Sequence, residues 1–107
     1  MRFVSTRGHA PSTSLDAALV AGLAPDGGLY VPERIPAVDI EPGDTLAQTA
    51  CDVLAPYFVG SSLRDALPAI CAHAYSFDAP LRAMTGNDDH LLELFHGPTA
   101  AFKDYAA

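Results

Sequence analysis

Proline and glycine limit the length of every regular element that this chain can form. Nine prolines and eight glycines are scattered over the 107 residues rather than clustered, which is typical of a globular protein with many turns. A proline costs ~3 kcal/mol inside a helix but little in its first turn, so these residues mark where helices begin and end. A chain of this length can form about one domain with one modest core.

Three segments between these breaks carry apolar residues at helical spacing. The predicted helices are one capped by Thr13 or Ser14 and ended by Gly22, one from Thr45 to about Tyr57 that bends or ends near Pro56, and one that starts near Ala66 or Leu67. We expect Ile70, Cys71, Ala74 and Tyr75 of the third helix to face inward.

Short strands account for most of the remaining apolar residues. They are predicted at Phe3–Ser5, at Leu29–Val31, at Leu81–Met84 and at Leu91–Phe95, with the last two joined as a hairpin by the turn-rich sequence TGNDDH. The predicted fold class is therefore α+β, a small domain of about three helices with a short, mainly antiparallel sheet.

The charge balance argues against several classes of partner. Six basic and 13 acidic side chains give a net charge of −7, and no segment concentrates lysine or arginine, so nucleic acid and anionic membranes are not expected partners. No run approaches the ~20 apolar residues of a membrane span, and the first residues lack the apolar core of a signal peptide. We expect a cytoplasmic protein.

Three further features of the sequence favour structural roles over chemistry. Cys51 and Cys71 lie among alanines and leucines, where unpaired core cysteines are favoured over a disulfide. The four histidines lack the spacing of a zinc site, so no metal is expected. The sequence Asp26-Gly27-Gly28 runs from a helix into a strand, whereas a phosphate-binding loop runs from a strand into a helix, so a plain turn is favoured.

Lys103 is the residue that a structural role explains least well. The order of a strand, the turn His96-Gly97-Pro98, Thr99 and then small apolar residues predicts a helix that starts at Ala100 with Thr99 as its N-cap. Lys103 would then lie near the positive end of the helix dipole, where a cation is disfavoured. An amine that forms a Schiff base must be neutral, so the position suits a carbonyl-binding lysine; a surface lysine on a frayed terminus is the alternative.

The motif around this lysine resembles a known family. The sequence ELFHGPTAAFKDYA, from Glu93 to Ala106, is similar to the pyridoxal-phosphate attachment segment of threonine synthases. Two further pieces, Ser5-Thr6-Arg7-Gly8 and the sequence GLAPDGGLYVP from Gly22 to Pro32, occur in the order expected of that family. Three ordered matches cover essentially the whole chain.

The resemblance implies a fold-type II enzyme that uses pyridoxal 5'-phosphate to convert O-phospho-L-homoserine and water into L-threonine and phosphate. Lys103 would hold the cofactor as a Schiff base and then transfer protons as a general base or acid. Phe102 and Asp104 would shape the cofactor pocket and orient the lysine, or else be a packed aromatic residue and a first-turn acid. His96 and Thr99 need be no more than turn and cap, and the resemblance assigns no role to Thr6 or Arg7.

Threonine synthases are several times longer than this chain, which implies an N-terminal piece. We expect residues 1–95 to form the N-terminal domain and residues 96–107 to begin a truncated catalytic domain, which would be the principal partner of this segment. The segment alone is expected to be inactive. Two other functions stay open: a threonine synthase-like phospho-lyase that releases 2-oxobutyrate, and a purely structural or interaction domain.

Overall fold

The computed structural model describes residues 1–41, 45–86 and 88–105. Within these ranges the α-helices and β-strands follow in the order β1 (Arg2–Ser5), β2 (Thr13–Ser14), α1 (Leu15–Ala21), β3 (Tyr30–Pro32), α2 (Leu46–Leu54), α3 (Leu67–Ala74), β4 (Leu81–Ala83) and β5 (His90–Leu92). Short 3₁₀ turns cover Arg64–Ala66 and Phe102–Tyr105. The mixture of three helices with short antiparallel sheets confirms the predicted α+β class.

Strand β1 is the centre of a three-stranded sheet with the order β2-β1-β3. Both neighbours run antiparallel to β1, and Phe3 lies opposite Thr13 on one side and Pro32 on the other. The buried side chain of Phe3 packs with Leu15 and Ala18 of α1. The core of this part of the chain therefore lies between the sheet and the first helix.

Side-chain caps fix the starts of α1 and α2. The Ser14 hydroxyl accepts a hydrogen bond from the Ala17 N–H at 3.2 Å, and the Thr45 hydroxyl accepts one from the Gln48 N–H at 3.2 Å. Gly22 ends α1 with a φ of 69°, a conformation that glycine adopts with little cost. The Ser14 cap and the end of α1 at Gly22 confirm the predictions for the first helix, whereas Thr45, predicted as the first residue of the second helix, is its N-cap.

The predictions for α2 and α3 are confirmed in part. Helix α2 ends at Leu54, just before Pro56, rather than at Tyr57. Helix α3 starts at Leu67 with Pro68 in its first turn, as predicted. Cys71 is buried as expected, but Ile70 is 44% exposed and Ala74 is exposed too. Because α3 packs mainly against α2, only one narrow side of it is covered.

The two cysteines are unpaired, as predicted. Cys51 lies in α2 and is half-buried, whereas Cys71 lies in α3 and is 2% exposed. Burial, followed by the neighbouring Cys51, raises the pKa of the Cys71 thiol. Both side chains fill the contact between the helices as small apolar groups.

Strands β4 and β5 form the predicted antiparallel hairpin. Each strand has three residues, fewer than the sequence predicted, and the second ends at Leu92 rather than at Phe95. Asn87 of the predicted loop lies outside the described residues. All six strand residues are exposed, so the hairpin lacks the cover that longer pairing needs.

None of the described helices has both the length and the apolar character that a bilayer crossing demands.

Candidate functional site

Lys103 lies in a single 3₁₀ turn, Phe102–Tyr105, and is exposed. The predicted α-helix from Ala100 is wrong for the described residues, because Ala100 has a φ of +55°, which an α-helix does not contain. Thr99 is therefore not an N-cap, and the argument that placed Lys103 at the positive end of a helix dipole fails. What remains of the prediction is the lysine and its motif.

Asp104 holds the loop that leads to this turn. Its carboxylate accepts the Thr99 N–H at 2.9 Å and the Thr99 hydroxyl at 2.6 Å. The hydroxyl bond is the main reason why the pKa of Asp104 is lowered. A Cβ atom on Gly97 would come within 2.4 Å of the Asp104 Cβ, so the loop closes over Asp104 only with glycine there. This geometry, rather than helix capping, explains the sequence His96-Gly97-Pro98-Thr99.

Tyr105 attaches the same turn to the segment that follows α3. The Tyr105 hydroxyl donates to the Asp78 carbonyl oxygen at 2.9 Å, and the Tyr105 carbonyl accepts from the Tyr75 hydroxyl at 3.3 Å. The rings of Phe77 and Tyr105 meet edge to face, with centroids 5.0 Å apart. Sequence reasoning placed Tyr75 on the inward side of the third helix but missed Phe77, Asp78 and Tyr105, and the only signal for their contact was three aromatic side chains at positions 75, 77 and 105.

Phe102 and Asp104 therefore have different surroundings although both adjoin the lysine. Phe102 is 66% exposed, whereas Asp104 is half-buried against the Thr99 loop. The sequence left two interpretations for each residue, a role beside the lysine or a purely structural one. The bonds to Thr99 show that Asp104 is tied to the preceding loop, and the exposed ring of Phe102 is not a packed core residue of the described chain.

Glu93 and His96 make a second contact just before the turn. The Glu93 carboxylate lies 2.7 Å from His96 Nε2 and 3.3 Å from Arg82 Nε. The His96 bond is the largest cause of the lowered pKa of Glu93. The His96 ring also stacks on Phe95, with centroids 4.7 Å apart. His96 is thus held by two neighbours at the exit of the hairpin, a role that the sequence had left unassigned.

Asp26 joins the two motifs nearer the start of the chain. One carboxylate oxygen accepts the Ser5 hydroxyl at 2.6 Å and the Gly28 N–H at 3.0 Å. The other accepts the N–H groups of His9 at 3.0 Å and Ala10 at 2.9 Å. The Ser5 hydroxyl is the largest cause of a pKa lowered to about 2. The turn at Asp26 is the predicted one, and it also organises the loop after β1.

Thr6 and Arg7, for which the sequence offered no role, complete this corner. The Thr6 N–H donates to the Leu29 carbonyl at 2.9 Å, and the Leu29 N–H donates to the Thr6 hydroxyl at 3.0 Å. An Arg7 guanidinium N–H donates to the Asp26 carbonyl at 3.0 Å. The two N-terminal motifs therefore meet in one hydrogen-bonded corner.

Comparisons with known proteins agree on one family. The family model for the N terminus of threonine synthase matches residues 2–75. Threonine synthase from Pseudomonas aeruginosa is 43% identical over 116 residues, which cover 99% of this chain and 24% of that protein. Threonine synthase-like 2 from Rattus norvegicus is 40% identical over 114 residues, which cover 97% of this chain and 24% of that protein.

A solved structure shares the fold. The crystal structure of threonine synthase from Brucella melitensis with bound PLP (pyridoxal phosphate) superimposes with a TM-score of 0.81 at 40% identity, over 97% of this chain and 24% of that one. This chain thus spans 24% of the length of each of these three relatives.

Proposed function

Since the chain belongs to the threonine synthase family, we propose that it forms the N-terminal part of an enzyme that converts O-phospho-L-homoserine and water into L-threonine and phosphate. Such an enzyme is a carbon-oxygen lyase acting on phosphates, and its cofactor is pyridoxal 5'-phosphate. The observation that carries the proposal is the position of Lys103, which is exposed in a turn whose next two residues are both held by neighbours.

The residues of the turn fit the covalent part of such a cofactor site. Lys103 is the only lysine in the 107 residues, and none of the ion pairs within the described ranges involves it. A primary amine is the group that binds an aldehyde cofactor. We assign the groups that would hold the cofactor phosphate and ring nitrogen to the part of the family's length that this chain does not span.

Pyridoxal phosphate, when bound, supplies an electron sink that stabilises negative charge on a substrate carbon. We assign two tasks to Lys103. Its Nζ would hold the cofactor in the resting enzyme, and during turnover it would carry protons to and from the substrate carbons. Both tasks need a side chain that reaches into the pocket without a competing partner, as the exposure of Lys103 allows.

Phe102 and Asp104 would support this lysine without reacting. The exposed ring of Phe102 is free to cover one side of the pocket and exclude water from it. Asp104 would act on the lysine indirectly. Its carboxylate accepts two hydrogen bonds from Thr99, which hold the backbone next to Lys103 in place.

The proposal includes an order of domains and a compartment. Residues 1–95 would form the N-terminal domain, and residues 96–107 would begin the catalytic domain, which is the expected partner of this segment. Two unpaired cysteines are usual in a reducing compartment, which favours the cytosol.

The test uses the full-length protein that carries this segment. The protein is incubated with pyridoxal phosphate, reduced with borohydride and digested, and mass spectrometry locates the pyridoxyl group. We expect the label on Lys103 and neither label nor threonine formation in Lys103→Ala and Lys103→Arg. The variant Arg64→Lys adds a lysine at another exposed position and controls for general reactivity. A label elsewhere, or threonine made by Lys103→Ala, would refute the proposal.

The second candidate is a phospho-lyase of the threonine synthase-like type, favoured by the 40% identity to threonine synthase-like 2. Both reactions need the lysine, so labelling does not separate them. The same full-length protein is assayed with O-phospho-L-homoserine for threonine and for 2-oxobutyrate. Threonine as the main product supports the first proposal, and 2-oxobutyrate supports the second. A purely structural domain would leave both products unchanged in Lys103→Ala.

A further inference from the structure

We infer that Tyr105 is a positioning residue for Lys103. It fixes the direction of the lysine side chain by attaching the lysine turn to the segment after α3. The inference rests on the proposed function, because it concerns the lysine that would hold the cofactor. It adds a residue for which the sequence suggested no role. The observations that carry it are two hydrogen bonds and one ring contact of Tyr105.

The geometry of the turn makes Tyr105 relevant to the lysine. In a 3₁₀ turn successive residues point about 120° apart, because each turn has three residues. Asp104 points to the loop before it, where Thr99 donates to both of its carboxylate oxygens. Tyr105 points to the segment after α3. Two of the three directions are thereby fixed, and Lys103 is left to project in the third, where it is exposed.

The two anchors differ in range. Asp104 binds a residue five positions earlier, so it shapes the loop but does not tie it to the rest of the fold. Tyr105 binds Tyr75 and Asp78, which are 30 and 27 positions earlier. That segment leaves a helix whose side chain Cys71 is 2% exposed. Tyr105 therefore anchors the lysine turn to a packed part of the N-terminal domain.

The ring and the hydroxyl of Tyr105 make separable contributions. The ring packs edge to face on Phe77 at 5.0 Å between centroids, and Phe77 in turn meets Tyr75 at 6.4 Å. The hydroxyl donates to the Asp78 carbonyl at 2.9 Å. Tyr105→Phe removes the second interaction and keeps the first, while Phe77→Leu weakens the first and keeps the second. The two variants therefore weaken the same attachment through different interactions, one through the hydrogen bond and the other through the ring contact.

The experiment compares three variants in the full-length protein with pyridoxal phosphate bound. Tyr105→Phe and Phe77→Leu are the test variants. Tyr30→Phe is the matched control, since Tyr30 lies in β3 and packs against the core cluster of the first sheet. The readouts are hydrogen exchange of amides 102–105, the pH at which the visible band of the bound cofactor changes, and kcat and KM measured separately.

We expect Tyr105→Phe to raise the exchange rate of amides 102–105 about fivefold, the ratio that corresponds to the loss of about 1 kcal/mol from one neutral hydrogen bond. The pH at which the cofactor band changes should shift, and kcat should fall with KM unchanged, because a displaced amine affects the reacting atoms and not substrate binding. Phe77→Leu should act in the same direction, and Tyr30→Phe should match the unchanged protein in all three readouts.

Two results would count against the reasoning, and they are distinguishable. If the unchanged protein carries no cofactor on Lys103, the proposed function is wrong and this inference falls with it. If the cofactor is on Lys103 but Tyr105→Phe matches Tyr30→Phe in exchange, cofactor band and kcat, the inference alone is overturned. A loss of global stability with an unaltered cofactor band would show a structural role only, which also overturns it.

Discussion

Replacement of Gly28 by alanine is the sharpest test of the corner formed around Asp26. Gly28 is buried, and a Cβ atom there would lie 2.1 Å from the Ser5 hydroxyl oxygen. The same atom would lie 3.1 Å from both the Arg7 backbone nitrogen and an Asp26 carboxylate oxygen. Because Ser5 is itself buried and bonded to Asp26, its hydroxyl has little freedom to move aside.

The expected cost follows from the nature of these contacts. Overpacking of a tight site costs about 1–3 kcal/mol, and we place Gly28→Ala at about 3 kcal/mol because its closest contact is far inside van der Waals distance. In a Ser5→Ala background that contact is absent and only the two longer ones remain, so the added cost should fall to about 1 kcal/mol. The two substitutions should therefore couple by about 2 kcal/mol, within the range seen for residues in contact.

Urea unfolding followed by circular dichroism measures all four members of this cycle. With an m-value of about 2 kcal/mol/M, a loss of 3 kcal/mol lowers the unfolding midpoint by about 1.5 M. Ser5→Ala alone is the matched control, since it deletes the hydroxyl without adding an atom at Gly28. Additive free energies of unfolding, with Gly28→Ala equally costly in both backgrounds, would refute the contact between these two residues.

Three further predictions concern charge, backbone and thiols. The pKa of Asp26 is lowered to about 2 from an ordinary 3.8, so its carboxylate stabilises the fold above pH about 4, and this contribution is lost as the pH falls through 2. The difference in urea midpoint between the unchanged protein and Asp26→Asn should therefore shrink over that window, and a difference that stays constant would contradict this. Ala100 has a φ of +55°, so Ala100→Gly should raise the free energy of unfolding by about 0.5–1 kcal/mol, and a lower thermal midpoint would contradict this. Both cysteines should react with a thiol reagent in denaturant, and in the folded chain the half-buried Cys51 should react well before the buried Cys71. A count of fewer than two reactive thiols in denaturant would contradict the unpaired assignment.

Local signals predicted most of the regular elements. The cap Ser14, the terminator Gly22 and the first-turn residue Pro68 each act within four residues of their own position, and so each is readable from the sequence. The hairpin was predicted for the same reason. Its strands came out short because apolar composition indicates where a strand can form, but pairing decides where it ends.

The predictions failed where distant contacts decide the outcome. Ile70 has the spacing of a buried helix position but is 44% exposed, because α3 packs mainly against α2. The helix expected after Thr99 is replaced by a loop, since the Asp104 carboxylate takes up the Thr99 donors. A helix N-cap and a loop closed by an aspartate use the same residue types, and the helix N-cap, which is the commoner structure, was the one predicted.

The revised setting of Lys103 changes what can govern its reactivity. A lysine near a helix N-terminus would be tuned by the helix dipole, which is a property of its own element. A lysine on a 3₁₀ turn is placed instead by what holds the turn, and here that is Asp104 on one side and Tyr105 on the other. The Tyr105 attachment reaches Tyr75 and Asp78 at the end of α3, so under the proposed function substitutions in that segment would move the amine without replacing Lys103 or its two neighbours in the sequence. Variants at Phe77 should then alter the chemistry of the lysine, because the Phe77 ring helps to place the turn. Variants at Phe102 should leave the stability of the fold nearly unchanged, because the described chain leaves that ring uncovered.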